Sequence, residues 1–193
     1  MAQKILCFAG STRKESFNRR LANSAYKLVN ELGGKGTLIE LADYSMPLYN
    51  GDDEQAHGLP DTAIALQSLM SQHDGLIIAS PEYNGFFTPV LKNTIDWMSR
   101  PNPESPDQAP VFKGKVGGLV ATSGGALGGL RGLIPLRTLL SGIGVTIVSN
   151  QLAVPAANEK FNTSELTDSD TLKSLTTVVQ SCLLYTSPSP RDS

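Results

Sequence analysis

Cysteine and histidine are scarce, two of each in 193 residues, and that scarcity closes off several common chemistries. Cys7 and Cys182 form no CxxC pair, which excludes a disulfide scaffold and a dithiol motif. Cys7 sits inside an apolar run and reads as a small buried hydrophobe. His57 and His73 stand alone without HExxH or similar ligand spacing, so no metal site is expected. Charge of one sign is missing as well. Sixteen Lys and Arg against eighteen Asp and Glu leave a net charge of −2, which gives no electrostatic reason to expect nucleic acid as a partner. No apolar run approaches the roughly 20 residues of a membrane span. Met1-Ala2-Gln3-Lys4 opens no apolar leader, so the expected location is the cytoplasm, away from the membrane. Two phosphate-binding signatures are missing too: neither GxxxxGK[ST] nor GxGxxG occurs.

What is present is an alternation of short apolar runs and helical patterns. Ile5–Ala9, Thr37–Leu41, Gly75–Ala79, Val116–Thr122 and Val145–Ser149 read as strands. Phe17–Leu32 places Leu21, Ala25, Leu28, Val29 and Leu32 at helical spacing, and Gly33-Gly34 ends it. Further helices are predicted after Asp61, over Pro89–Met98, over Leu130–Leu140 with Pro135 inside it, and over Thr171–Val179. Asp43–Pro60 reads as irregular and Pro101–Pro110 as a proline-rich connection. Five strands alternating with helices imply one α/β domain built on a doubly wound parallel sheet. The common strand order is 2-1-3-4-5, with ligands beyond the carboxyl ends of strands one and three.

That topology brings three unusual loops to one cleft. The first, Gly10–Asn18, joins a strand to a helix N-terminus, where free N–H groups and the helix dipole favour an anion. Ser11, Thr12 and Ser16 add hydroxyls, Arg13 a planar charged fork and Asn18 an amide. This is a phosphate cradle made from side chains, unless the segment is only a helix cap with solvated charges. The second, Pro81-Glu82-Tyr83-Asn84-Gly85, can place an aromatic face and backbone N–H groups beside a flat heterocycle; the plainer alternative is an Asn-Gly turn. The third, Ser123–Gly129, is nearly free of side chains and permits close backbone approach to a ligand, or is simply a tight turn.

Together these motifs resemble the NADPH-dependent FMN reductase family. Ser11, Arg13, Ser16 and Asn18 match its S-x-R-x-x-S-x-N pattern. Pro81–Gly85 followed by Leu91-Lys92-Asn93-Thr94-Ile95-Asp96-Trp97 is similar to its second signature. Ser123-Gly124-Gly125 with Gly128-Gly129 and Arg131 is similar to its third. The resemblance implies a flavodoxin-like fold and bound FMN, with NAD(P)H as electron donor and quinones, free flavin or similar small molecules as acceptors. It also implies a homodimer or tetramer. Ser11, Arg13, Ser16 and Asn18 would hold the FMN phosphate. Pro81, Glu82, Tyr83, Asn84 and Gly85 would border the isoalloxazine, and Ser123 and Gly124 the ring and ribityl side. No catalytic side chain is called for, because the flavin carries the chemistry. The alternatives are a flavodoxin-like FMN-binding electron carrier without reductase activity of its own, and a cofactor-free interaction domain.

Two further expectations concern surfaces and ends. Ile95, Trp97 and Met98 are read as an apolar interface beside the cleft, the alternative being that they are core. The domain is taken as residues 1–181. Cys182–Ser193, CLLYTSPSPRDS, breaks the helical pattern and back-translates into a transposase library adapter, so it is expected to be a non-native or disordered tail.

Overall fold

The computed structural model describes residues 2–105 and 109–186. Residues 106–108 of the proline-rich connection and 187–193 of the expected tail lie outside the described residues. The elements are β1 (Lys4–Ala9), α1 (Phe17–Glu31), β2 (Lys35–Ile39), a 3-10 turn (Leu41–Tyr44), α2 (Gly51–His57) and α3 (Asp61–Ser71). There follow β3 (Gly75–Ala79), β4 (Glu82–Tyr83), β5 (Phe86–Phe87), α4 (Pro89–Met98), β6 (Val116–Thr122), α5 (Leu130–Gly142), β7 (Thr146–Val154), α6 (Ala157–Lys160) and α7 (Ser169–Thr186).

The main sheet is five-stranded, in the order β2-β1-β3-β6-β7, and each neighbouring pair is parallel. Counting only its own strands, that is the expected 2-1-3-4-5 order. Its three inner strands are buried along most or all of their length, as helices on both faces demand. Alternation along β1 shows how one strand serves two layers. Ile5, Cys7 and Ala9 join Leu21, Ala25 and Val29 of α1 and Leu175 and Val179 of α7. Leu6 and Phe8 join Leu66 and Met70 of α3, Leu91 and Ile95 of α4 and Leu133 and Leu136 of α5. This is the period-two geometry of a strand meeting helical faces on both sides.

Ile95, Trp97 and Met98 are core, at 1–3% exposure, which corrects their reading as an interface. The segment from Met46 to Tyr49 covers the open side of α4. The Trp97 indole donates to the Pro47 carbonyl at 2.8 Å, Asn93 donates to the same carbonyl at 2.8 Å, and the Tyr49 ring packs edge-on against Trp97. Part of the supposedly irregular stretch is itself helical. α2 buries no residue; Asn50 caps it by accepting from the Asp52 amide at 2.9 Å, and its first turn carries Asp52, Asp53 and Glu54, the charge that a helix N-terminus favours.

The last helix runs to Thr186, five residues past the expected domain end. Cys182 is wholly buried in it, whereas Leu184 and Tyr185 are exposed, so 182–186 continue the helix with Cys182 facing the sheet. Both cysteines are free and buried. Burial pushes the Cys182 thiol up to about 12 and that of Cys7 higher still, which leaves neither with thiolate character at neutral pH.

Candidate cofactor cleft

At the carboxyl ends of β1, β3 and β6 the three loops meet. A cleft of about 260 Å³ is lined by Ser11, Arg13, Ser16, Phe17, Asn18, Pro81, Glu82, Tyr83, Thr122, Ser123 and Gly124. Nine of the eleven residues expected from the sequence are therefore brought together. Phe17 and Thr122 were not expected. Phe17 lies between two chosen polar positions, and Thr122 ends an apolar strand. The available signal for each was its place in the chain rather than its chemistry.

The first loop has the character of an anion cradle. Ser16 is the N-cap residue of α1, yet its side chain makes no capping hydrogen bond. The amides of Phe17 and Asn18, the first of the helix, find no backbone acceptor, as helix geometry dictates. Ser11 is buried; its oxygen accepts from the Arg13 amide at 3.3 Å, so its own proton remains to be given. Among the described residues the Arg13 guanidinium has no partner. Hydroxyls, amides and a guanidinium thus converge with donors to spare, and no carboxylate belongs to this loop's part of the cleft. Such a set fits a phosphate group. Thr12 turns away, into a neighbouring hollow with Leu41, Tyr44, Met46 and Asn93.

Asn18 lines the cleft and also makes a structural tie that the motif did not indicate. Its amide is buried, donates to the Thr122 carbonyl at 2.9 Å and accepts from the Thr122 amide at 3.0 Å. These two bonds tie the start of α1 to the end of β6 and leave the second amide N–H over. The Thr122 hydroxyl in turn donates to the Val154 carbonyl at 3.0 Å. On the other side of the cleft, the Thr88 hydroxyl caps α4 by accepting from Leu91 and donates to the Gly10 carbonyl at 2.6 Å.

The second loop is a hairpin of β4 and β5. Asn84 and Gly85 form its tip with φ of 53° and 81°, the pair of positive values that a two-residue I′ turn requires. Both therefore stand at the turn, away from the residues lining the cleft, whereas Pro81, Glu82 and Tyr83 form its wall. Tyr83 and Phe86 are about half exposed.

In the third loop the glycines divide by role. A Cβ on Gly128 would fall 2.5 Å from the Val154 backbone, and one on Gly129 2.8 Å from the Ala121 Cβ, and both residues have positive φ. These two are demanded by chain packing. Gly124 meets nothing closer than Asn158 Nδ2 at 3.7 Å and faces the cleft, so here the missing side chain leaves room for a ligand. Among the described residues no group of three His, Cys, Asp or Glu is placed to hold a metal, and no helix is long and apolar enough to cross a membrane.

Comparison with known proteins points the same way. The model of the NADPH-dependent FMN reductase family matches residues 3–159. A 2-hydroxy-1,4-benzoquinone reductase from a Burkholderia species is 37% identical over 129 residues, which are 66% of this chain and 64% of that protein. An NAD(P)H-dependent FMN reductase of Pseudomonas aeruginosa is 40% identical over 138 residues, 71% of this chain and 69% of that one. The chain thus spans about two thirds of the length of these relatives. Among solved structures, FerB, a flavoenzyme NAD(P)H:(acceptor) oxidoreductase from Paracoccus denitrificans, superposes with a TM-score of 0.81 at 26% identity, covering 96% of this chain and 97% of that one.

Proposed function

The chain belongs to the NADPH-dependent FMN reductase family, and from that premise we propose that it is a cytoplasmic flavoenzyme. It holds FMN in the cleft and passes two electrons from NAD(P)H to quinones, free flavin or similar small acceptors. The observation that carries this reading is the cradle at the start of α1. It is a set of uncommitted donors, with the Ser16 hydroxyl free of its capping bond, facing Pro81–Tyr83 and Ser123–Gly124 across one cleft.

In this assignment Ser11, Arg13, Ser16 and the amides of Phe17 and Asn18 hold the phosphate. The Asn18 side chain has a positioning part, since its oxygen and one of its two N–H groups bond Thr122, and its second N–H remains for the phosphate. Pro81, Glu82 and Tyr83 border the ring, with Asn84 and Gly85 shaping the turn behind them. Ser123 and Gly124 border the ribityl side. Bound FMN supplies hydride acceptance from nicotinamide and two-electron delivery to the acceptor. The protein's part is to orient the flavin and keep one of its faces open. Glu82, the one carboxylate among the described residues lining the cleft, is engaged by Arg131 at 2.7 Å and is not assigned a proton-donating role. Assembly as a homodimer or tetramer is supported by a different surface from α4, namely the exposed Tyr83, Phe86, Leu127 and Ile134 on and beside the hairpin.

The test is direct. The purified protein should carry or bind a yellow chromophore, and NADPH added under argon should bleach it. A protein that binds FMN but is bleached only by dithionite is an electron carrier instead.

A further inference from the structure

The wall of the cleft that borders the ring contains an ion pair which neither cofactor binding nor hydride transfer calls for. Glu82 opens β4, and its side chain is only 9% exposed. Its carboxylate accepts from the Arg131 guanidinium at Nε, 2.7 Å, and Nη2, 2.5 Å. It also accepts from the Arg131 backbone amide at 3.1 Å. Arg131 is the second residue of α5, so that amide is one of the donors a helix N-terminus leaves open. The same place is closely packed. A Cβ on Gly132 would lie 3.1 Å from the Phe86 carbonyl oxygen and 3.4 Å from the Glu82 Cβ. Among the described residues the two-stranded hairpin pairs only with itself, and α5 packs against it.

Glu82 therefore brings a largely buried negative charge to the cleft wall, and Arg131, whose own side chain is 62% exposed, compensates it. Even near a protein surface, charges a few ångströms apart act with several times their strength in bulk solvent. A flavin ring gains negative charge as it is reduced, and charges beside the ring tune its potential. We propose that Arg131 is a positioning residue for the flavin: by clamping Glu82 it fixes the hairpin that borders the ring, and by neutralising that carboxylate it raises the reduction potential. This rests on the FMN reductase reading.

The experiment compares wild type, Arg131→Ala, Arg131→Lys, Glu82→Gln and the double variant Glu82→Gln/Arg131→Ala. Each is titrated with FMN and with riboflavin, and each midpoint potential is measured by dye equilibration. Arg131→Ala should weaken both flavins alike, by about tenfold, the low end for a hydrogen bond to a charged group, and should lower the potential. Arg131→Lys should recover most of the potential, because it keeps the charge, and less of the affinity, because it loses the fork. Glu82→Gln should move the potential upward, and the double variant should return it toward wild type. A purely structural brace would lower affinity and melting temperature in every variant without opposite shifts in potential, and that outcome overturns the proposal. Unchanged potentials and affinities in a wild type that binds FMN overturn it too and leave the family reading intact. A wild type that binds neither flavin removes both.

Discussion

Replacing Arg13 with alanine separates two accounts of the loop between β1 and α1. If that loop seats a phosphate, the loss should appear only with ligands that carry one. The Arg13 guanidinium is unpaired among the described residues, so removing it breaks nothing inside the protein, and the fold should be unaffected. In the complex a charged hydrogen bond is lost, typically worth about 1.5–3 kcal/mol. At about 1.4 kcal/mol per tenfold, FMN should bind roughly ten to a hundred times more weakly. Riboflavin, which lacks the phosphate, should bind as before. Ser16→Ala sharpens the contrast. An N-cap serine replaced by alanine usually costs about 1 kcal/mol of stability, but this hydroxyl makes no capping bond. The melting temperature should stay near wild type while FMN affinity falls by less than with Arg13→Ala. The assay is fluorescence titration of apoprotein with both flavins, alongside thermal melts. If both flavins weaken equally, or neither does, the phosphate assignment is wrong.

Asn18→Ala should behave as a structural lesion. It leaves the buried Thr122 amide and carbonyl without partners, and urea unfolding should show a loss of about 1–3 kcal/mol, with FMN and riboflavin weakened together. Gly128→Ala, placing a Cβ 2.5 Å from backbone at φ of +59°, should cost on the order of 2 kcal/mol or more. Gly124→Ala should melt like wild type yet bind flavin less tightly. Stability should fall as the solution is acidified, in part through His73. Burial above all lowers its proton affinity below the ordinary 6.5, with Lys115 and Lys4 adding to the effect and the Leu69 carbonyl and, less so, Asp74 opposing it. Its Nδ1–H donates to the Leu69 carbonyl. Well above pH 6.5 neither folded nor unfolded chain carries the proton and nothing is lost. Below it the unfolded chain takes the proton first, so unfolding becomes easier. Urea melts at pH 7.5 and 5.5 should show this, and His73→Gln should flatten the difference. Ile134→Glu should shift sedimentation toward monomer if the hairpin and α5 form the oligomer contact.

The sheet was readable from sequence because buried parallel strands are near-continuous apolar runs. Gly75–Ala79 and Val116–Thr122 have the same limits in the structure as in the sequence reading. β7 extends to Val154, well beyond its apolar start, because its pairing with β6 shifts register between Gly117 and Leu119 and resumes at Gln151. α2 left no apolar period to find, since a cap and its acidic first turn hold it and it buries no residue. Two-residue strands such as β4 and β5 are too short to alternate visibly, although Asn84-Gly85 marked their turn. The apolar face of α4 looked like a partner surface because the segment covering it, Met46–Tyr49, gave no sign in sequence of where it lies. Residue types located the cleft but did not divide its labour. An asparagine aimed at a ligand and one aimed at a distant backbone read alike, and only the fold reveals the bonds from Asn18 to Thr122.

The bond between Asn18 and Thr122 joins positions 104 apart in the chain, and the Thr122 hydroxyl extends the link to Val154. During synthesis, the cradle near the N-terminus leaves the ribosome long before the residues that shape its opposite wall. Contacts between such distant positions form late, because the intervening chain must first be ordered. FMN can therefore reward only a nearly completed domain, since a ligand stabilises the state that binds it. A nascent chain ending before Val154 should not be rescued by added flavin, whereas the released apoprotein should take it up without remodelling. Cofactor supply then governs how long the finished protein lasts rather than whether it folds.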